Sequence, residues 1–188
     1  MSLALLDAPA PRLSGRQGED FYRTPPAATE AFLAVERPPR VIWEPACGDG
    51  AISEVLKAAG HEVFSTDLYD RGYGLAGRNF LDTPPQAGSP AIVTNPPFKF
   101  AEAFVLHALA IGTPYIAVIQ RLAWLEGAAR QQSLWLPHPP SRIWVFGKRL
   151  TLWRGDEDRP KGATGTTAYG WFVWDRVAPR GTQMGWLP

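Results

Sequence analysis

The chain has 188 residues, 45% of them hydrophobic and 20% charged, which is enough apolar surface for one packed domain and excludes a disordered chain. Its single cysteine excludes a disulfide framework and a cysteine-rich zinc site; no metal is expected, and a reducing, cytoplasmic location is. No apolar run approaches the ~20 residues of a membrane span, so neither a membrane partner nor a secretory leader is expected. The net charge of +1 hides an asymmetry: residues 1–120 carry 9 Lys/Arg against 13 Asp/Glu, and residues 121–188 carry 10 against 5. An acidic part joined to a basic part points to a polyanion meeting the C-terminal third, although an uneven solvated surface would look the same.

Residues 1–18 mix Pro, Gly and Ala without periodicity and predict a mobile arm, with a single domain over 19–188. Val41-Ile42-Trp43 follows Pro38-Pro39 and predicts a buried strand. Ile52, Val55, Leu56 and Ala59 share a helical face that Gly60 ends, and Val63 to Thr66 predicts the second strand. A third strand is expected near Arg78–Leu81. Ala91 to Thr94 predicts the fourth, and the steps Phe100, Phe104, His107, Ala108 and Ile111 predict an amphipathic helix over 99–111. His107 on that stripe reads as a packed histidine. Tyr115 to Ile119 predicts a strand, Ala123 to Leu134 a helix, and Ile143–Phe146 and Tyr169–Trp174 two strands separated by a basic loop near 149–168. Seven of the eight tryptophans lie between Trp124 and Trp186, and large aromatics of this kind belong mostly to the core.

Strands alternating with helices predict a Rossmann-like, doubly wound α/β fold: a mostly parallel sheet with an antiparallel edge, binding ligands beyond the strands' carboxyl ends. The first strand runs into Glu44-Pro45-Ala46-Cys47-Gly48-Asp49-Gly50 and then a helix. Two glycines let backbone approach a ligand, and the helix start offers free N–H groups. The spacing is neither the dinucleotide fingerprint nor a P-loop, and a tight strand-to-helix connection explains it equally. Asp67 ends the second strand, placed either to accept two ribose hydroxyls or to cap the next segment. The sharpest signal is Asn95-Pro96-Pro97-Phe98 at the end of the fourth strand. Two prolines fix φ and remove backbone donors, leaving carbonyl acceptors beside an aromatic face. That cluster suits an exocyclic amine: Asn95 Oδ1 and the Pro96 carbonyl each accept one N–H while Phe98 stacks on a planar ring.

These motifs resemble those of class I S-adenosylmethionine-dependent methyltransferases, and within them the DNA methyltransferases that modify adenine N6. Glu44 to Gly50 resembles the cofactor motif, and Asn95 to Phe98 the catalytic Asn/Asp-Pro-Pro-aromatic motif. Asp20-Phe21-Tyr22-Arg23-Thr24-Pro25-Pro26 is similar to the segment folding over the methionine end of the cofactor. Gln120 to Gly127 and Thr166 to Trp174 are similar to segments of small phage and prophage enzymes.

The resemblance implies S-adenosylmethionine as cofactor and S-adenosylhomocysteine as product. It implies that Tyr22, Thr24, Pro25, Glu44 and the backbone of Pro45 through Gly50, Cys47 and Asp49 included, hold the methionine part, and that Asp67 holds the ribose. Asn79-Phe80-Leu81 stands where the family has Asp-Phe-Leu, so Asn79, with Asp82 as a rival, would contact the cofactor adenine and Phe80 would pack against it. Asn95, Pro96, Pro97 and Phe98 would be catalytic, acting on a flipped-out base. Arg121, Arg149, Arg154, Arg159 and Lys161 are candidate nucleic-acid contacts, and phosphate contacts of that kind position a duplex without reading it. DNA is the expected partner, with RNA as alternative. An RNA adenine, cytosine N4 or protein glutamine methyltransferase, and a non-catalytic binding module that keeps the fold, are the competing readings. Cys47 is not expected to be a nucleophile, because it lies within the cofactor turn.

Overall fold

The structure is a computed structural model describing residues 20–82, 84, 90–154, 165–177 and 181–188. Its strands are β1 (Tyr22–Arg23), β2 (Val41–Glu44), β3 (Glu62–Ser65), β4 (Ala91–Thr94), β5 (Tyr115–Arg121), β6 (Arg142–Phe146), β7 (Trp153–Arg154), β8 (Tyr169–Asp175) and β9 (Gln183–Leu187). Its helices are α1 (Pro26–Val35), α2 (Ala51–Ala58), α3 (Ala101–Ala110) and the single turn α4 (Ala128–Arg130).

Seven strands form one sheet in the order β3-β2-β4-β5-β8-β6-β9. β8 alone runs against the rest, pairing antiparallel with β5 and β6. The antiparallel component thus comes from the C-terminal third as expected, with β6 and β9 lying outside it. Period-two alternation splits the apolar side chains between the faces. Ile116, Val118, Phe172 and Trp174 meet Phe104, Val105 and Ala108 of α3. Ala117, Ile119, Trp171 and Val173 meet Phe32 of α1 and Leu56 of α2 on the other side. Trp124, Trp171 and Trp174 are buried, as tryptophan clustering predicted, whereas Trp186 on the edge strand is 68% exposed.

A buried polar cluster ties α1 to the amino ends of β5 and β6. Glu36 accepts from the Tyr115 hydroxyl (2.9 Å), Arg142 Nε (2.5 Å) and Trp144 Nε1 (2.6 Å), and Arg142 Nη2 donates to Asp175 (2.9 Å). The cluster stands at the opposite end of the strands from the site described below.

Two expected elements take another form. The third strand is replaced by a single 3-10 turn, Phe80–Asp82, and one isolated bridge between Thr66 and Leu75. The intervening loop folds back on β3 instead: Leu75 N–H donates to Ser65, Asp67 N–H to Leu75 and Arg78 N–H to Asp67. The helix over 123–134 is broken into a 3-10 turn (Leu122–Leu125), α4 and a π turn (Gln131–Trp135). Gly127 at φ 116° makes the break, and Arg130 Nη1 satisfies the freed carbonyls of Trp124 (2.7 Å) and Glu126 (2.8 Å). Among the described residues no helix is long and apolar enough to cross a membrane.

Candidate active site

The carboxyl ends of the parallel strands β2, β3 and β4 share one edge of the sheet. At the first, the chain leaves Glu44 and turns through Pro45–Gly50 into α2. Gly48 and Gly50 have φ of 55° and 86°, where a Cβ is strained. A Cβ on Gly48 would also strike the Phe21 ring, and one on Gly50 would lie 2.6 Å from the Tyr73 ring. Glycine at both positions therefore lets the strap over residues 20–24 and the Tyr73 loop close on the turn.

Glu44 is 1% exposed, with the Ser53 hydroxyl donating to its carboxylate and the Ser53 and Ser65 hydroxyls 2.6 Å apart. Burial holds the Glu44 carboxyl well above the usual carboxylate range, and the charges of Asp67 and Asp49 push the same way. Just beyond β3, Asp67 Oδ2 accepts from Gly48 N–H (2.8 Å) and Oδ1 from Tyr69 N–H (2.9 Å). Each oxygen keeps further acceptor capacity. Asp49 pairs with Arg23 of the strap at 2.6 Å. Burial pushes the Cys47 thiol up to about 12, and its sulfur lies 3.7–3.8 Å from the Tyr73 and Gly48 carbonyl oxygens, so it is an inert packing group.

At the end of β4, Asn95 Nδ2 donates to the Tyr22 carbonyl (2.9 Å) and to Thr24 Oγ1 (3.0 Å). Its Oδ1 is buried with no hydrogen-bond partner among the described residues. An unmade bond at a buried acceptor costs about 1–3 kcal/mol. The Pro97 carbonyl accepts from Phe100 N–H (2.8 Å), whereas the Pro96 carbonyl takes no donor from a described residue. The Phe98 ring stacks on Tyr22 (5.0 Å) and lies 6.1 Å from Tyr169, with the Arg121 guanidinium 4.5 Å from its centre.

A cavity of about 300 Å³ opens at this edge, its wall including Tyr22, Pro45, Ala46, Asp67, Asn79, Phe80, Asn95 and Pro97. A void of about 20 Å³ adjoins the same segment, lined among others by Thr24, Glu44, Cys47, Asp49 and Asn95. Asn95 therefore borders both spaces. Phe80 reaches the cavity from the core, packed on Trp43 (5.1 Å), Phe104 (4.9 Å) and His107 (4.9 Å), so His107 is a packed histidine. Asn79 stands on the cavity wall, and Asp82, off it, accepts from Asn79 Nδ2 at 2.8 Å.

The remaining expected residues lie further out. Pro25 caps α1, its carbonyl accepting from Ala28 N–H (2.9 Å). Phe98 and Pro96 do not line the larger cavity. Arg149 donates to the Gly165 carbonyl (3.2 Å). Arg154 belongs to β7, whose backbone pairs with Tyr22 and so ties the basic segment to the strap. Arg159, Lys161 and residues 1–18 lie outside the described residues. Sequence reasoning missed Arg71, Arg78 and Lys99 on the cavity wall. Arg71 stacks over Phe21 at 4.1 Å, in a loop whose glycines gave no periodic signal. Lys99 directly follows the Asn-Pro-Pro-Phe motif and could have been read with it.

No protein-family profile matches the chain, and no curated protein matches its sequence. Solved structures do. One provisionally described as an RNA methyltransferase from Pyrococcus horikoshii superposes with a TM-score of 0.59 at 15% identity, over 83% of this chain and 86% of that one. The 23S rRNA methyltransferase ErmE gives 0.56 at 16%, over 85% and 71%. The modification subunit provisionally assigned to a type I restriction enzyme of Vibrio vulnificus gives 0.52 at 16%, over 90% and 46%. A protein from Listeria monocytogenes, provisionally described as a class I S-adenosylmethionine-dependent methyltransferase, gives 0.54 at 10%, over 85% and 64%. The fold is the class I methyltransferase fold. This chain spans 64% of the Listeria protein and less than half of the Vibrio subunit. Within the class I methyltransferase fold, the edge that carries Glu44, Asp67 and Asn95 is the one at which doubly wound sheets bind ligands.

Proposed function

We propose that the chain is an S-adenosylmethionine-dependent methyltransferase that methylates the N6 amine of adenine in DNA. The observation carrying this reading is the buried, unpartnered Oδ1 of Asn95, on a residue that borders both cavities and whose Nδ2 is taken up by Tyr22 and Thr24. A buried acceptor beside two prolines is complementary to an N–H donor and to nothing anionic.

The residues fit the cofactor. The cavity of about 300 Å³ accommodates a nucleoside, Asp67 offers its spare lone pairs to ribose hydroxyls, and Phe80 supplies an apolar wall. Asn79, oriented by Asp82, would face the cofactor adenine. The turn from Pro45 to Gly50 and the buried Glu44 would hold the methionine end, where a cationic amine would favour the Glu44 carboxylate. When bound, S-adenosylmethionine supplies an electrophilic methyl group on a sulfonium sulfur.

The chain's own residues then do the positioning. Adenine N6 within a duplex is inaccessible, so the base has to be extruded. Asn95 Oδ1 would accept one N–H of the amine and the Pro96 carbonyl the other. Both contacts draw the nitrogen lone pair out of ring conjugation and fix its direction. Orientation and electrostatics of this kind lower the barrier without a covalent enzyme intermediate. Phe98 would stack on the base in place of one of its present neighbours, a contact worth about 1–3 kcal/mol.

RNA adenine is the second reading, favoured by the two RNA methyltransferases among the structural neighbours; the restriction-modification subunit supports DNA. The test is to incubate the purified chain with labelled S-adenosylmethionine and either DNA or RNA, then digest to nucleosides for mass spectrometry. N6-methyl-2′-deoxyadenosine is expected. N6-methyladenosine from RNA alone would transfer the assignment to RNA, and transfer to neither polymer would refute it.

A further inference from the structure

The Arg121 side chain is not explained by the fold. Its Nε is buried and has no hydrogen-bond partner among the described residues. A guanidinium nitrogen stripped of water and left unpaired is costly, more so than a neutral donor. Yet the group is held in place: its guanidinium lies 4.5 Å from the Phe98 ring centre and 5.9 Å from that of Tyr22. Phe98 and Tyr22 are themselves 5.0 Å apart, so the cation and Tyr22 sit towards one side of Phe98 and do not sandwich it. The buried Tyr169 phenol interacts with the same guanidinium. Arg121 is the last residue of β5, paired with Tyr169 of β8. β4 ends at Thr94, paired with Val118, while β5 runs on to Arg121, whose guanidinium reaches the Phe98 ring just beyond the end of β4. A donor without an acceptor therefore lies one strand over from an acceptor without a donor, Asn95 Oδ1.

We infer that Arg121 reads the target base, its Nε–H donating to the ring nitrogen adjacent to the amine that Asn95 holds. This deepens the methyl-transfer reading above and rests on it. The two orphaned groups together describe an edge: an amine donor beside an unprotonated ring nitrogen. Adenine presents this edge at N6 and N1, and cytosine at N4 and N3. Guanine presents it only at N2 and N3, on the side next to the sugar; at O6 and N1 guanine, like thymine and uracil at O4 and N3, presents a carbonyl beside a ring N–H. Arginine has no acceptor, so a ring N–H would leave two buried donors facing each other. Sites built to pair a buried polar group reject partners that leave it unpaired far more strongly than they reject a change of size. Selection of the base thus comes from Asn95 and Arg121 jointly, and the stacking of Arg121 on Phe98 holds its donor in place before the base arrives.

The test is a cycle between enzyme and substrate. The wild-type chain and Arg121→Met are compared on the DNA strand the wild type methylates, with the target adenine either natural or replaced by 1-deazaadenine, which keeps the amine and lacks the N1 acceptor. The wild type should lose about 10- to 100-fold in transfer rate on 1-deazaadenine relative to adenine, and Arg121→Met should treat the two bases alike. S-adenosylhomocysteine affinity, measured by calorimetry, should be the same in both proteins, which separates base reading from a folding defect. Equal adenine-to-deazaadenine ratios in the two proteins would overturn the inference while leaving the methyl-transfer reading intact. Failure of the wild type to methylate any polynucleotide would overturn both.

Discussion

Replacing Asn95 by Ala separates two jobs that one side chain performs. Its Nδ2 makes two hydrogen bonds to the strap, at 2.9 and 3.0 Å, each with a net value of about 0.5–1.5 kcal/mol. Its Oδ1 is an unpaired buried acceptor whose removal returns about 1–3 kcal/mol. The two contributions oppose each other, so the change in stability should be small. At roughly 2–4 °C per kcal/mol for a chain of this size, the melting temperature should move by no more than about 5 °C. In the proposed reaction the contact this side chain makes to the amine is through Oδ1. Loss of one preorganised electrostatic contact to a reacting group lowers turnover by about 10²–10³. Asp67, Phe80 and the Pro45–Gly50 turn are untouched, so S-adenosylhomocysteine affinity should stay within a few-fold. Thermal melts, calorimetry and a radiolabelled transfer assay on one protein preparation test all three expectations. Activity within tenfold of wild type, with a melting temperature lowered by more than about 5 °C, would mean that Asn95 only anchors the strap.

Glu44 should make stability depend on pH in an unusual direction. Its folded-state pKa is raised above the ordinary value of 4.5, so the folded chain holds this proton more tightly than the unfolded one, and stability should decline as pH rises from 4.5 towards the raised value. Glu44→Gln should remove that slope and weaken S-adenosylhomocysteine binding; parallel stability curves for the two proteins would contradict the burial argument. Cys47, the only cysteine, should be alkylated slowly by iodoacetamide at pH 8 in the native protein, because a thiol pushed up to about 12 leaves only on the order of 10⁻⁴ as thiolate. Unfolding in urea should release a fast reaction, and native alkylation at the rate of a free thiol would show that the turn opens. Arg142→Met should cost about 3–5 kcal/mol, because it strands the buried carboxylate of Glu36. Chemical denaturation measures this, and a loss below about 1 kcal/mol would show the cluster to be uncoupled.

What could be read from the sequence was what local pattern dictates. The apolar runs at Val41, Val63, Ala91, Tyr115, Ile143 and Tyr169 all became strands of the main sheet, because a sheet covered on both faces demands uninterrupted hydrophobic segments. The Asn-Pro-Pro-Phe and Glu44–Gly50 segments stood out because proline and glycine restrict backbone wherever they occur. Elements stabilised from a distance gave no such signal. β9, Gln-Met-Gly-Trp-Leu, is interrupted by Gly185, whose missing Cβ makes room for the Trp144 ring of the neighbouring strand. α1, which begins at Pro26 beside another proline, is not among the expected elements; its place is fixed by Phe32 stacked on Trp171 at 4.6 Å. The helix expected over 123–134 had the right periodicity, but Gly127 and the carbonyl contacts of Arg130 favour a broken path. At the site, sequence named the acceptor at Asn95 but could not show which of its two amide ends would be free.

That choice is made by the strap. The Tyr22 carbonyl can only accept, so it takes the NH₂ end of the Asn95 amide, with the Thr24 hydroxyl as second acceptor, and the carbonyl end is left without a partner. Without the strap the amide could rotate by half a turn and present donors to an incoming amine, which would repel it. Among the described residues the strap's strand pairing is short. β1 and β7 pair over two residues each, and a two-stranded ribbon of that length has no independent stability. Its other ties run to the site: Arg23 to Asp49, the Tyr22 ring to Phe98, and the Phe21 ring against Gly48. Every one of these contacts lies beside the Pro45–Gly50 turn or the Asn-Pro-Pro-Phe motif. Ligand bound at either place would therefore stabilise the strap, and a stabilised strap fixes the orientation of Asn95. The free energy of occupying the cavity is in this way coupled to the one side-chain orientation that the proposed methyl transfer requires.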